Sequence, residues 1–335
     1  MQIKRLVIEN FKSIERIELI EPNPFTVFVG PNGSGKSNIF EALEFINYIS
    51  VNDRHAGLRL FGGRDNVVNR KNKNDIFRFS ADFNGNTPDF ANFEFNLTKT
   101  GPPFNYLSLI SDKGASYRDF LYESGNWFHD YSQFYDSFSR LFIGDRKAPK
   151  IDFQDDEALN TTASNLEKVL KRILTDEVLK REIFEWLELF VPGFKAVEID
   201  DRDELHWFEE SSDRYFTKDL ISDGTYNILS LLTAVYQQDH EPQFLCIEEP
   251  ENGLHPKVAR ELMDFFRLMC EERGHYIWVN THSPYMASRV RPEELVTVNK
   301  INGSTQVKQF KGMNWHGLTA DEVWLSNVLG GGNPW

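Results

Sequence analysis

Residues 30–37 read Gly-Pro-Asn-Gly-Ser-Gly-Lys-Ser. The stretch fits the pattern G-x-x-x-x-G-K-[ST], in which glycines let the main chain curl so that its N–H groups point at phosphate oxygens. An apolar run at 25–29 predicts a buried parallel strand before it, and apolar residues at helical spacing in 38–49 predict a helix after it. A strand, a glycine loop and a helix in this order predict a phosphate site at a helix N-terminus.

This loop supplies the first candidate site residues. Lys36 is expected to reach the β- and γ-phosphates of a nucleotide, and the Ser37 hydroxyl to ligate Mg²⁺. The predicted cofactor-binding residues of the loop are Gly30, Pro31, Asn32, Gly33, Ser34, Gly35, Lys36, Ser37 and Asn38. An ordinary glycine-rich turn is the alternative, and the matching strand and helix patterns disfavour it.

Composition indicates an ordinary globular chain. Its 335 residues are 40% hydrophobic and 26% charged, enough for a substantial core. No apolar run approaches the about 20 residues of a membrane span, and the N-terminus lacks a secretory pattern. We therefore expect a cytoplasmic protein with no membrane partner. Cys246 and Cys270 lie in apolar patterns and are predicted to be core thiols.

The charge balance bears on nucleic-acid binding. The formal net charge is −14, whereas proteins that bind mainly the phosphate backbone are usually basic. Two local basic clusters are the exception, for which a solvated surface is the favoured interpretation. They comprise Arg64, Arg70, Lys71 and Lys73 in the first and Arg146, Lys147 and Lys150 in the second.

Periodicity predicts an α/β chain with a mixed, mostly parallel sheet, an antiparallel β portion and a helical insert. Strands are predicted over 3–9, 14–20, 76–83, 91–98 and 104–110, and helices over 126–142, 157–174 and 176–190. From residue 225 onward helices and strands alternate. We expect a single head over 1–335, with a core lobe of 1–83 and 243–311, an inserted lobe of about 84–242 and a tail of 312–335.

A second constellation follows the apolar strand pattern at 244–247, which ends in the adjacent carboxylates Glu248 and Glu249. Successive strand residues point to opposite sides, so their roles differ. Glu248 is expected to approach Mg²⁺, directly or through water, and Glu249 to act as the general base for an attacking water. Solvated acids at a strand end are the alternative, which the glycine loop makes less favoured.

Two further turns carry candidate residues. His282 follows another apolar strand pattern at 276–279 and could hydrogen-bond a γ-phosphate as a third catalytic residue. Ser222 precedes an apolar helix pattern and is predicted to be its N-cap, and with Gly224 it forms a small-residue turn of the kind that binds anions. A structural histidine and a plain helix cap are the respective alternatives.

In this order the segments resemble the ABC-type ATPase superfamily, and more narrowly the ATPase heads of the SMC, RecF and OLD (overcoming lysogenization defect) group. Residues 30–37 match Walker A, and Ser222-Asp223-Gly224 matches the core of the ABC signature. The stretch 247–256 resembles the Walker B motif and D-loop of this group, and 281–284 resembles its switch-histidine loop. Residues 3–14 are similar to its N-terminal strand and turn. The resemblance implies a P-loop NTPase fold.

The resemblance also implies ATP and Mg²⁺ as cofactors and a homodimer, extendable to a higher oligomer. ATP would lie between the Walker motifs of one protomer and the signature of its partner, so that Ser222 and Gly224 act in trans. The sequence departs from the group at Glu248, where most ABC proteins carry aspartate. Gln133 is the candidate Q-loop residue, and Arg146 is similar to a strand-end arginine of related ATPases.

Three functions are compatible with this pattern. The first is Mg²⁺-dependent ATP hydrolysis, with slow turnover, by a head that dimerises around ATP. The second is ATP-gated control of a partner effector, a nuclease or toxin, as in antiphage defence, because we expect the chain to lack both a TOPRIM nuclease domain and long coiled coils. The third is a DNA-end or DNA-structure sensor, which only the basic clusters favour. A transporter ATPase subunit is disfavoured by the signature and by the 247–256 stretch.

Overall fold

The computed structural model describes residues 2–51, 54–71, 76–84, 89–96, 106–111, 114–119, 137–144 and 157–327. The chain divides into two units, one formed by Met1–Phe138 with Val290–Trp335 and the other by Ser139–Arg289. The lobes predicted from the sequence divide the chain differently and stay a prediction.

Fourteen strands lie within the described residues. They are β1 Gln2–Phe11, β2 Ile14–Ile20, β3 Phe25–Val29, β4 Ile76–Asn84, β5 Asp89–Asn96, β6 Tyr106–Ser111, β7 Gly114–Asp119, β8 Phe138–Phe142, β9 Phe194–Ile199, β10 Leu205–Glu209, β11 Phe244–Glu248, β12 Tyr276–Asn280, β13 Leu295–Ile301 and β14 Ser304–Gln309. The described α-helices are α1 Lys36–Val51, α2 Arg54–Leu60, α3 Arg64–Val67, α4 Leu166–Ile173, α5 Glu177–Phe190, α6 Asp223–Tyr236, α7 Pro256–Arg273, α8 Pro284–Ala287 and α9 Ala320–Leu325.

The first unit contains a six-stranded antiparallel sheet in the order β2-β1-β4-β5-β6-β7. Strand β1 is mostly buried over residues 6–11, and helix α1 packs against it. Phe11 of β1, Phe45 of α1 and Phe77 of β4 meet there with ring centroids 5.4–5.8 Å apart. This aromatic cluster stabilises the helix that follows the glycine loop.

The glycine loop leaves strand β3, whose five residues are all buried. Within the same unit β3 pairs in parallel with β13, and β13 pairs antiparallel with β14. A continuous apolar run is what a strand buried on both faces requires. The pairing brings the β13–β14 hairpin beside the loop that β3 feeds.

The second unit builds its sheet around β11, which pairs in parallel with β12 and has β8 on its other side. Helix α6 begins at its N-cap Ser222, whose side chain accepts the Thr225 N–H. Helix α7 begins with Pro256 and ends at Gly274, which has a φ of 70°. Proline in the first turn and a left-handed glycine after the last are standard helix boundaries.

The fold confirms the predicted α/β class with parallel and antiparallel pairing, and corrects two predicted helices. The helix predicted over 157–174 begins only at Leu166, and residues 157–165 before it form turns and bends. The segment 126–142 was predicted to be helical, but its described end, Phe138–Phe142, is strand β8; residues 126–136 lie outside the described residues. Cys246 and Cys270 are buried thiols, as predicted. Among the described helices, none is long and apolar enough to cross a membrane.

Candidate functional site

The glycine loop closes around a lysine. Lys36 is only 4% exposed, and its ammonium group donates to the main-chain oxygens of Gly30 at 2.7 Å and Pro31 at 3.2 Å. Burying an ammonium group away from water carries an electrostatic cost. The loop therefore holds a positive charge that a phosphate group can neutralise.

Two glycines of the loop have no room for a side chain. A Cβ at Gly30 would lie 2.1 Å from the main-chain oxygen of Val298, and a Cβ at Gly35 would lie 2.0 Å from the Thr305 hydroxyl. Gly35 also has a φ of 103°, which L-residues rarely adopt. The loop is thus a cradle whose space side chains would fill. Phosphate binding by main-chain N–H groups requires that this space stay open.

A relay of hydroxyl groups, which sequence patterns did not predict, braces this loop. Asn38 Nδ2 donates to the Ser13 hydroxyl at 2.6 Å, and the Ser13 and Thr305 hydroxyls lie 2.6 Å apart. Since the Thr305 hydroxyl donates to the Ser34 main-chain oxygen at 2.9 Å, Ser13 is the donor to Thr305. The turn after β1 and the start of β14 therefore fix the loop from outside.

The remaining residues of the predicted cradle differ in exposure. Asn32 and Gly33 are exposed at the tip of the loop, Pro31 and Ser37 are half-buried, and Ser34 is buried. The main-chain N–H of Asn38 donates to Gly35 at 3.1 Å, which starts helix α1. Ser37 therefore stands in the first turn, where its hydroxyl suits an Mg²⁺ ligand.

The acid pair lies in the second unit, at the end of β11. Glu248 is completely buried, and its Oε1 accepts from the Arg140 guanidinium, with Nε at 2.7 Å. Its Oε2 accepts from Asn280 Nδ2 at 3.3 Å. Carboxylate oxygen is the donor type that Mg²⁺ prefers, so the residue suits the ion chemically. A metal at this carboxylate would share it with Arg140.

Glu249 has an unusual main chain. Its φ of 52° lies in the left-handed region, a conformation that costs a non-glycine residue about 1–3 kcal/mol and is concentrated at functional sites. Its N–H donates to the Asn280 oxygen at 2.8 Å, and its half-buried carboxylate accepts from Asn252 at 3.4 Å. The turn therefore directs Glu249 away from the strand while Glu248 stays buried.

The His282 segment is held by a residue that sequence reasoning missed. Glu251 Oε1 accepts the Thr281 hydroxyl at 2.7 Å and the His282 N–H at 2.8 Å. Burial raises the pKa of the Glu251 carboxyl group, and the nearby Glu249 charge adds to the rise. His282 itself is half-buried.

The signature turn, Ser222 to Gly224, packs against the loop of residues 249–253. Ser222 caps α6 and is exposed, and a Cβ at Gly224 would lie 2.4 Å from the Gly253 main-chain oxygen. Asn227 Nδ2 donates to the Asn252 oxygen at 2.9 Å. The second unit thus brings together the signature turn, the acid pair and the His282 segment through residues 249–253. The glycine loop belongs to the first unit.

Two predicted positions, Gln133 and Arg146, lie outside the described residues. Arg140 and Glu251 were missed because their partners are distant in sequence; the one available signal was their closeness to strand ends. The site roles assigned to the glycine loop, Ser222, Gly224, Glu248, Glu249 and His282 stay predictions.

Similarity to solved structures identifies the fold of the chain. A crystal structure of an Smc head bound to the C-winged helix domain of ScpA covers 95% of this chain and 100% of that chain, with a TM-score of 0.63. At 15% identity this likeness shows the fold alone. The fold is that of an SMC-type head, which confirms the predicted fold class.

The family follows from the sequence. The family model described as "AAA domain, putative AbiEii toxin, Type IV TA system" matches residues 25–288, most of the chain. The chain belongs to this family, and with it to the ATPases of the SMC/RecF/OLD-like group.

Individual relatives match it in part. The chain is 25% identical to the OLD nuclease of Thermus scotoductus over 344 residues, which covers 89% of this chain and 62% of the nuclease. It is 48% identical to the chromosome partition protein Smc of Methanocaldococcus jannaschii over 44 residues, which covers 13% of this chain and 4% of that protein. The chain thus spans less than two thirds of either relative.

Proposed function

We propose that this protein binds Mg²⁺·ATP at residues 30–38 and hydrolyses it to ADP and phosphate. The observation that carries the proposal is the buried Lys36 ammonium, enclosed by a loop in which Gly30 and Gly35 leave no room for side chains. A buried cation and a curled main chain together form a phosphate site. Membership in an AAA-domain family supports ATP as the nucleotide.

The chain's own residues divide the work of hydrolysis. Lys36 leaves its loop carbonyls for the β- and γ-phosphate oxygens and offsets the charge that develops there. Glu249, half-buried and directed by its left-handed main chain, takes the proton of the attacking water. Ser37 and Glu248 would hold Mg²⁺, and the ion would supply positive charge that offsets the charge of the phosphate groups. His282 hydrogen-bonds the γ-phosphate.

Closure of the site depends on a second copy of the chain. The exposed Ser222 and the turn to Gly224 present a helix N-terminus, which is suited to a γ-phosphate bound by the partner protomer. Bound ATP then acts as the contact between two heads. The nucleotide cycle thus switches the protein between separate heads and a homodimer, from which higher oligomers are built.

The ATP-bound homodimer controls an effector protein, a nuclease or toxin, in a defence role. The family description, which includes a putative AbiEii toxin, supports this assignment. The Glu249→Gln variant with ATP should co-purify with the product of a neighbouring gene, and the Lys36→Ala variant should not. Equal recovery with both variants would contradict nucleotide-gated control.

The alternative of a DNA-structure sensor draws no support from the described residues. In the first basic cluster Arg64 pairs with Asp65 at 2.9 Å and Lys71 with Glu15 at 3.4 Å. Residues 146–150 lie outside the described part of the chain.

Phosphate release from ATP tests the proposal. Wild-type protein should release phosphate with Mg²⁺ and stop when the ion is chelated. Lys36→Ala should lower the rate about 10²–10³-fold, and Glu249→Gln at least about 10²-fold with ATP binding retained. Lys257→Ala, at an exposed lysine in the first turn of α7, and Glu241→Gln, at an exposed glutamate, are the matched controls. Equal rates in Lys36→Ala and Lys257→Ala would overturn the proposal.

A further inference from the structure

Glu251 lies two residues after the proposed base, and the proposed reaction gives it no step. Its Oε1 accepts two hydrogen bonds, from the Thr281 hydroxyl at 2.7 Å and from the His282 N–H at 2.8 Å. Thr281 is completely buried. One carboxyl oxygen therefore fixes the main chain of the segment that carries His282.

This segment is tied down in turn. The Thr281 oxygen accepts the Ser283 N–H at 2.9 Å, and the Ser283 hydroxyl accepts the Met286 N–H at 3.4 Å. The second oxygen of Glu251 is buried and has no hydrogen-bond partner among the described residues. An unsatisfied buried oxygen is costly and calls for an explanation.

The loop that carries Glu251, residues 249–253, also contacts helix α6, which begins at the signature turn. Gly253 leaves no room for a side chain at Gly224, and Asn252 accepts a hydrogen bond from Asn227 at 2.9 Å. Three successive residues thus contact the signature turn at one end and the His282 segment at the other. All of these contacts lie within the second unit.

We infer that Glu251 is a positioning residue that transmits the position of the signature turn to His282. The inference rests on the proposed ATPase function, in which the signature turn engages the nucleotide of the partner protomer. A displacement at Gly224 moves Gly253 and Glu251, and the two hydrogen bonds of Glu251 carry it to His282. Contiguous contacts of this kind can couple two sites, and measured coupling is what establishes it.

Amide hydrogen exchange on the nucleotide-free full chain tests the contact without any activity. Glu251→Ala should speed exchange of the His282 amide at least about fivefold, since one hydrogen bond is lost. Glu251→Gln keeps an oxygen acceptor and should stay near wild type. The exposed Glu241→Ala is the matched control, and should change nothing. Thr281→Val keeps the shape but removes the bond to Glu251 and the bond from the Ser283 N–H. It should give about a twofold increase and serves if Glu251→Ala does not fold. Unchanged exchange in both Glu251→Ala and Thr281→Val would overturn the inference.

Transmission is tested by Gly224→Ala, whose added Cβ must displace Gly253. It should alter His282 exchange at least about twofold, and this change should vanish when Glu251→Ala is also present. A change that persists in the double variant, or no change at all, would overturn transmission.

Kinetics separate this inference from the proposed function. Glu251→Ala should lower kcat about tenfold with KM for ATP within about twofold of wild type. Combining it with His282→Ala should cost no more than His282→Ala alone, because both act through one group. Additive losses would contradict positioning. If wild-type protein hydrolyses no ATP, the proposed function fails, while the exchange measurements still decide the role of Glu251.

Discussion

Different kinds of contact stabilise the glycine loop and the acid–histidine region, which comprises residues 248–253 and the segment around His282. The loop at 30–38 is shaped by its own main chain and braced by the Ser13 and Thr305 hydroxyls, and its lysine bonds to oxygens five and six residues away. The acid–histidine region is held by charged side chains that join distant segments, such as Arg140 with Glu248 and Glu251 with His282. The loop therefore depends on main-chain conformation, whereas the acid–histidine region depends on each buried charged partner.

The largest effect should follow from breaking the buried ion pair of the acid–histidine region. Arg140→Met leaves the Glu248 carboxylate buried without its cation, which typically costs about 3–5 kcal/mol of unfolding free energy. Urea unfolding measures this loss.

The control for this variant is an exposed ion pair in the same unit, Arg289 with Asp264. Arg289→Met should cost less than about 1 kcal/mol. Equal losses in the two variants would show that the acid–histidine region does not depend on its buried pair.

The second effect is a pH dependence of folding stability. It arises from His275, the residue before β12, which is the strand that leads to His282. Burial, and secondarily the charge of Arg273, lowers the pKa of His275 to about 4 in the folded protein, against about 6.5 when unfolded. Between these values the unfolded state binds more protons, so stability falls as pH falls from 6.5 to 4, by about 3 kcal/mol in total.

Unfolding free energy measured at several pH values checks this prediction. His275→Gln should be less stable at neutral pH but should lose part of the slope between pH 6.5 and 4. An identical slope in the variant and in wild type would assign the acid sensitivity to other groups.

The smallest effect concerns the glycine loop. Gly35→Ala forces a φ near 103° on an L-residue and places a Cβ against the Thr305 hydroxyl. Strain of about 1–3 kcal/mol should weaken ATP binding about ten- to a hundredfold. Gly33→Ala meets no atom within 4 Å and shares the positive φ, so it separates strain from contact. Equal ATP affinity in Gly35→Ala and wild type would contradict the cradle.

The same contrast explains what the sequence could predict. The loop, its strand and helix, the Ser222 cap and the strand-end acids are local patterns, and each lies in the element predicted for it. Arg140 was missed because its aromatic segment was interpreted as a helix and its partner lies 108 residues away.

Other long-range contacts escaped for the same reason. Thr305 is 271 residues from Ser34, and Glu251 is 31 residues from His282. Local periodicity carries no information about which distant hydroxyl or carboxyl group braces a turn. Tertiary pairing sets these contacts, so only the structure identifies them.

In the proposed function bound ATP joins two heads, and the mass of the Glu249→Gln variant in solution measures this association. With Mg²⁺·ATP its mass in solution should double from the 39.0 kDa of one chain. It should remain 39.0 kDa without nucleotide, and also with ATP when Lys36→Ala or Ser222→Arg is added. A mass that is the same with and without ATP, in protein shown to bind ATP, would contradict the account.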